Sequence, residues 1–334
     1  MDGNRVTEPL IKIVNLKKWF PLRLGFFSTL VSRKQLYVRA VDGISFEVAE
    51  KEIFGLAGES GSGKTTAGRL LLKLVPPTGG EILFRGKNVT KMSEKEFKPL
   101  RSKFQIIFQD PYGSLNPRMT IFNIIAEPMR IYGIKDEREV EKRVSKALED
   151  ARLVPPEEFI NRYPHELSGG QRQRVATGRA LVLNPNFIVA DEPVSMLDVS
   201  IRADILNLIY ELKDKYDVSF LYITHDLALA RHVCDRIAIM YLGKIMEMGT
   251  TDQIVYEPLH PYTKSLMAAV PVPDPTAKRI DVVIKGEIPS PVNPPQGCRF
   301  HTRCPQKIGD ICEKKEPTII DSGNGHLVAC HLYT

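Results

Sequence analysis

A chain of 334 residues, 43% hydrophobic and 26% charged, is long enough for one core of ordinary size with a smaller appendage. It has no basic start leading into an apolar run and a cleavage site, and no segment reaches the ~18 consecutive apolar residues of a membrane-spanning helix, so neither a secreted nor a membrane-spanning chain is expected. The formal charge of +6 fits a nucleic acid, an anionic membrane surface or plain solubility, and selects none of them.

Taken in chain order, IKIVNL (11–16) and ISFEVAE (44–50) alternate apolar and polar residues, which predicts strands at the edge of an antiparallel sheet. Between them, residues 17–39 mix basic side chains with Trp19, Phe20, Phe26 and Phe27, a surface excursion with an apolar underside or a contact with a membrane surface or membrane partner. EIFGLAG (52–58) reads as a buried strand entering a glycine-rich turn, and TTAGRLLLKLV (65–75) as a helix stopped by Pro76-Pro77-Thr78-Gly79-Gly80. EILFRGKNV (81–89) and FQIIFQD (104–110) are further strands, and about 121–162 is a charged helical insertion. Parallel-sheet text returns in FIVADEP (187–193) and VSFLYITHD (218–226), separated by a helix over 201–216, and IAIMYLGKIMEMG (237–249) closes the large domain. After about 255 the chain is Pro-rich and short of apolar runs, so a folded tail needs a staple.

Gly58-Glu59-Ser60-Gly61-Ser62-Gly63-Lys64-Thr65 matches GxxxxGK[ST] between a predicted strand and a predicted helix. The glycines let backbone N–H groups turn inward around a triphosphate, the helix offers its positive end, Lys64 reaches the β and γ phosphates, and the Thr65 hydroxyl ligates Mg²⁺. Asp191 and Glu192 end a parallel strand, where Asp191 would hold Mg²⁺ and Glu192 would take a proton from the attacking water. Leu167-Ser168-Gly169-Gly170-Gln171 opens a helix and forms a second anion site. One chain already wraps its nucleotide with the first loop, so the second site is expected to face another subunit's ATP.

This set resembles the ATP-binding cassette family, in which two cassettes sandwich two nucleotides between the phosphate loop of one and the LSGGQ of the other. The resemblance implies an α/β fold: a P-loop ATPase with an antiparallel β subdomain, a RecA-like parallel-sheet core and a small helical subdomain over about 112–168. It adds Ser60, Ser62, Gly63 and Thr66 to the phosphate contacts, and Ser168, Gly170 and Gln171 to the second site. It makes Gln109 a lid residue sensing Mg²⁺ and the membrane partner, Asp198 part of a loop crossing the dimer interface, and His225 the γ-phosphate histidine. Phe20 fits the adenine-stacking aromatic, with Trp19 and Tyr37 as alternatives. Met196 and Ala190 depart from the usual pattern without removing a catalytic group.

The single phosphate loop and the absence of a long coiled coil are similar to a transporter subunit. HPYTKSL (260–266), the Pro-rich linker and the final cysteine-bearing segment are similar to the C-terminal extension of oligopeptide and dipeptide importer ATPases. That resemblance implies an ATPase domain over 1–255 and an extension over 256–334. It also implies a second, non-identical cassette or a homodimer, two membrane permeases, an extracytoplasmic peptide-binding protein, and a place on the cytoplasmic face of the membrane. An importer of a metal complex or glycan is the first alternative, and a soluble ATPase acting on nucleic acid the second.

Cys298, Cys304, Cys312 and Cys330 are separated by five, seven and seventeen residues. A reducing compartment disfavours disulfides, and the C-x₂₋₄-C pair of a zinc knuckle is missing. Proline follows Cys304, as it follows some cluster ligands. The extension's resemblance implies a [4Fe–4S] cluster stapling the tail. Zn²⁺, with His301, His326 or His331 as substitute ligands, and no metal stay open. Cys234 reads as a core residue.

Overall fold

The computed structural model describes residues 8–22, 35–270 and 286–334. In chain order the strands are β1 (Ile11–Pro21), β2 (Tyr37–Val48), β3 (Ile53–Ala57), β4 (Gly79–Phe84), β5 (Lys87–Asn88), β6 (Phe104–Ile107), β7 (Phe187–Asp191), β8 (Ser219–Thr224), β9 (Arg236–Tyr241), β10 (Lys244–Thr250), β11 (Ile320–Asp321) and β12 (Leu327–Val328). The helices used below are α1 (Lys64–Leu71), α2 (Ile121–Ile131), α3 (Glu137–Asp150), α4 (Gly169–Leu181), α5 (Val199–Tyr216) and α6 (Pro261–Ala268). The chain forms two compact units, one of residues 1–48, 54–90 and 224–334, the other of 49–53 and 91–223.

In the first unit an antiparallel sheet runs β2-β1-β4-β5. Ile11 and Ile13 are buried on either side of exposed Lys12, the alternation that predicts a one-sided sheet. β1 continues to Pro21, beyond the expected end at Leu16, because its pairing with β2 shifts register after Ile13 around Asn15, whose φ is +47°. A bulge moves later side chains to the other face and hides the alternation from the sequence. A second ladder in this unit runs β11-β12-β10-β9-β3, with β3 parallel to β9 and the others antiparallel. The turn at Leu242-Gly243 has positive φ at both residues (42° and 80°), matching the right-handed twist of the β9–β10 hairpin.

Helix α1 ends at Leu71, four residues before the expected stop at Val75. Lys73 adopts φ +51°, and the N–H groups of Lys73 and Leu74 turn back to Leu70 and Arg69, so the helix closes on itself before the prolines.

The second unit holds β8-β7-β6, all parallel. β7 and β8 are buried along their whole length, which is why they read as unbroken apolar runs. The helical insertion is not continuous. It comprises α2 and α3, capped by Thr120 and Asp136, followed by short turns at 156–158 and 164–166. Val140, Val144, Ala147 and Leu148 form the buried face of α3 and pack in one cluster with Ile124, Ile125, Met129 and Val175.

The tail buries more than its composition suggests, because it borrows core surface from β9 and β10. β12 extends β10 through Glu247↔Val328 and Met248↔Leu327. Tyr262 and Phe300 close a fully buried aromatic group with Tyr241, at centroid distances of 4.8, 5.1 and 5.4 Å. Glu247, with no exposed surface, accepts the N–H groups of Leu259 and His260 and bonds His326 Nε2. Among the described residues, strand addition, ring packing and one buried carboxylate hold the tail to the first unit. The part of the 17–39 excursion carrying Phe26 and Phe27 lies outside the described residues.

Candidate functional site

In the first unit β3 runs into Gly58, and α1 begins at Lys64 with Gly63 as its cap. Two loop glycines are fixed by neighbours as well as by any ligand. A Cβ on Gly58 (φ +149°) would meet the Met240 carbonyl at 2.1 Å, and one on Gly63 (φ +107°) the Ala40 carbonyl at 2.0 Å. Strands β2 and β9 therefore press the loop into the shape that turns its amides inward. Lys64 is buried, and its ammonium donates to the carbonyls of Gly58 (2.7 Å) and Glu59 (2.9 Å), with Ser62 Oγ at 3.4 Å. Ser60 and Gly61 are exposed, and Thr65 and Thr66 half-buried, in the first turn of the helix.

Four other expected residues belong to this unit. His225 is exposed just after β8. Trp19 is committed elsewhere, since its Nε1–H donates to Asp42 Oδ1 at 2.9 Å and Arg39 lies 4.8 Å over its ring. Phe20 and Tyr37 are the more open rings, 36% and 40% exposed, and so better fitted to stack on a base.

In the second unit Asp191 ends β7, 6% exposed, and Glu192 follows with φ +47°. A left-handed glutamate costs of order 1 kcal/mol and persists where its surroundings hold it. Here its N–H donates to Ile223 O at 2.9 Å, and its carbonyl accepts from Ser195 N–H and Oγ–H. Gln109 Nε2 donates to Glu192 Oε2 at 2.9 Å, which brings two of the expected residues into contact. Ser168 caps α4 in a reciprocal box with Gln171: its Oγ accepts the Gln171 N–H at 3.3 Å, and its N–H donates to Gln171 Oε1 at 2.9 Å. Gly170 lies under Ile201, where an added Cβ would meet Cγ2 at 2.7 Å, and Ser168 is exposed. Asp198 caps α5 from an exposed position beside exposed Met196 and Val199.

The four cysteines of the extension are unpaired thiols, Cys304 half-buried and the other three buried. Burial, together with the negative charge that Cys304, Cys312 and Cys330 would carry, pushes the Cys298 thiol up to about 12. Burial likewise raises Cys304 and Cys330, again with neighbouring cysteines adding to the rise. The thiols are thus near enough to feel one another's charge, yet among the described residues no three His, Cys, Asp or Glu side chains have metal-holding geometry. The donor set suits a soft or borderline cation, while the ligand geometry does not support the [4Fe–4S] expectation. Of the substitute ligands, His301, His326 and His331 each already bond a protein oxygen through one ring nitrogen. Cys234 is buried as expected, against Gly55.

Tyr262, Arg299 and Arg303 have no role in the sequence reading, although they touch the phosphate loop and β2. Their traces were Tyr262 within HPYTKSL and an arginine beside each of two cysteines.

Residues 41–195 match the family described as ABC transporter, and residues 246–312 match the oligopeptide/dipeptide transporter C-terminal region. The chain is 47% identical over 330 residues to the oligopeptide transport ATP-binding protein AppF of Bacillus subtilis (strain 168), covering 98% of each. It belongs to the ABC transporter family. Among solved structures, this ABC transporter chain is similar to the ATP-binding cassette MJ0796, a dimer in a post-hydrolysis state bound to ADP and Pi, with a TM-score of 0.62 and 29% identity over 72% of this chain and 98% of that one. It is also similar to cbiO1 from Clostridium perfringens, part of the ABC transporter complex cbiONQ, with a TM-score of 0.64 and 25% identity over 75% of this chain and 92% of that one. The ABC match contains the phosphate loop, Gln109, Ser168–Gln171 and Asp191–Glu192, and the second match contains Tyr262, Arg303 and three of the four clustered cysteines. Among the described residues no helix is long and apolar enough to cross a membrane.

Proposed function

We propose that this chain is the ATP-hydrolysing subunit of a di- or oligopeptide importer, working as one of two cassettes on the cytoplasmic face of two membrane permeases supplied by an extracytoplasmic peptide-binding protein. One observation carries the reading. The chain aligns from end to end with an oligopeptide transport ATP-binding protein while holding a complete phosphate loop and a glutamate oriented by Gln109.

The phosphate loop binds ATP through its amides, with Lys64 exchanging the loop carbonyls for phosphate oxygens. The Thr65 hydroxyl and the Asp191 carboxylate are hard oxygen donors of the kind Mg²⁺ takes, joined by Gln109. Mg²⁺, when bound, draws charge from the phosphate oxygens. Gln109 holds Oε2 of Glu192 and so fixes the direction from which the carboxylate removes a proton from water. His225 meets the γ-phosphate, and Phe20 stacks on the adenine. Ser168, Gly170 and Gln171 face the other cassette's nucleotide, with Asp198 at the crossing.

Co-expression with the two permeases and the binding protein is expected to yield a complex in which peptide uptake into vesicles requires ATP inside. A chain that never associates with membrane subunits, or uptake indifferent to ATP, would remove the assignment.

The four cysteines are proposed to hold a [4Fe–4S] cluster. What supports this is the donor set: four free cysteine thiols in the extension, soft donors of the kind iron takes as thiolates. Anaerobic purification should give about four irons per chain and thiolate-to-iron absorbance, both lost in Cys304→Ala. Protein without iron would withdraw the cluster, and zinc in its place would favour the alternative.

A further inference from the structure

Glu59, the first variable position of the phosphate loop, has each of its polar groups engaged within the first unit. Its N–H donates to Tyr262 Oη at 3.0 Å. Its carbonyl accepts from Ser62 N–H at 3.2 Å and Lys64 Nζ at 2.9 Å. Its carboxylate accepts both terminal nitrogens of Arg303, at 2.7 and 3.3 Å, the forked geometry in which a guanidinium holds a carboxylate most firmly. Tyr262 and Arg303 both come from the C-terminal extension, and Arg303 immediately precedes Cys304. Arg303 is itself 8% exposed and held over the Tyr241 ring, with a second contact to Tyr241 Oη at 3.3 Å. A parallel contact stands four residues earlier: Arg299, next to Cys298, reaches Asp42 Oδ2 at 2.6 Å in a buried pair.

We propose that Arg303 and Tyr262 are positioning residues of the nucleotide loop, so that the cysteine-bearing segment sets the affinity for ATP. The proposal rests on the ATP-hydrolase reading above and adds to it the means by which the extension reaches the site. A bare carboxylate on a loop that receives a triphosphate repels its ligand. Arg303 cancels that charge and fixes the side chain, while Tyr262 fixes the peptide whose carbonyl Lys64 uses. Loss of either partner weakens ATP binding. It leaves the Gln109–Glu192 pair, which belongs to the other unit, unchanged. The expected signature is therefore a change in KM with little change in kcat.

The test uses the full chain, with titration of ATP by equilibrium binding alongside steady-state hydrolysis. Arg303→Ala is expected to raise Kd and KM for ATP about tenfold, with kcat within about twofold, the size of effect for a pair that is only partly screened. Arg303→Lys should recover part of the loss, since a single ammonium replaces the fork. Glu59→Gln combined with Arg303→Ala should recover most of it, because the unpaired charge is gone. Tyr262→Phe, which keeps the ring packing, should weaken binding about threefold through one lost hydrogen bond. Unchanged affinity in both Arg303→Lys and Tyr262→Phe, or a double variant as weak as Arg303→Ala, would overturn the proposal. Wild-type chain that binds no ATP would instead overturn the nucleotide-site reading, and the brace with it.

Discussion

Glu192→Gln is expected to bind ATP and to pair with a second cassette as the parent does, while hydrolysing ATP about 10²- to 10⁴-fold more slowly. Glutamine has the shape of the glutamate and keeps an oxygen for the Gln109 amide, which donates at 2.9 Å. What it lacks is a basic site for the water proton. The backbone at 192 is held by Ile223 and Ser195 whichever side chain is present, so the left-handed turn survives the change. Phosphate release under single-turnover conditions measures the loss, and ATP-dependent dimerisation on a sizing column measures what is kept. Turnover within about tenfold of the parent would take Glu192 out of the general-base role.

Glu247→Ala is expected to be the most destabilising single change in the first unit, by about 3–5 kcal/mol. Its carboxylate has no exposed surface and gathers the N–H of Leu259 at 2.8 Å, the N–H of His260 at 2.9 Å and His326 Nε2 at 2.7 Å. Alanine leaves these three groups buried without that acceptor and opens a cavity beside the β10–β12 pairing. Urea unfolding should show the lost stability, and limited proteolysis should cut first between Pro258 and the C-terminus. Glu247→Gln keeps one acceptor oxygen and should fall between the two. A loss under about 1 kcal/mol would place the anchorage in the Tyr241–Tyr262–Phe300 packing instead.

What the sequence revealed was what is local. The phosphate loop is eight consecutive residues, and β7 and β8 are unbroken apolar runs because both their faces are covered, so each can be recognised without knowing its neighbours. The start of α4 at Ser168-Gly169-Gly170 was legible for the same reason. The extent of β1 was not, because the irregular pairing around Asn15 resets the face on which side chains fall. Nor were the charge pairs that tie the unit together. Arg303 meets Glu59 across 244 residues and Arg299 meets Asp42 across 257, and a contact of that span leaves no period in the chain. The tail was read as too poor in apolar residues to pack, but composition counts only what a segment brings. Phe300 and Val328 are buried against surface that β9 and β10 supply.

The two arginines beside the cysteines also bear on how far such a protein can be taken apart and recombined. Each has its carboxylate on an early stretch of the chain, at Asp42 and at Glu59. A chimera that swaps tails between sister cassettes would need to carry positions 42 and 59 across with the tail, or leave two acidic groups stranded beside foreign partners. In such a hybrid the natural seam follows who neutralises whom, and it passes through the phosphate loop itself.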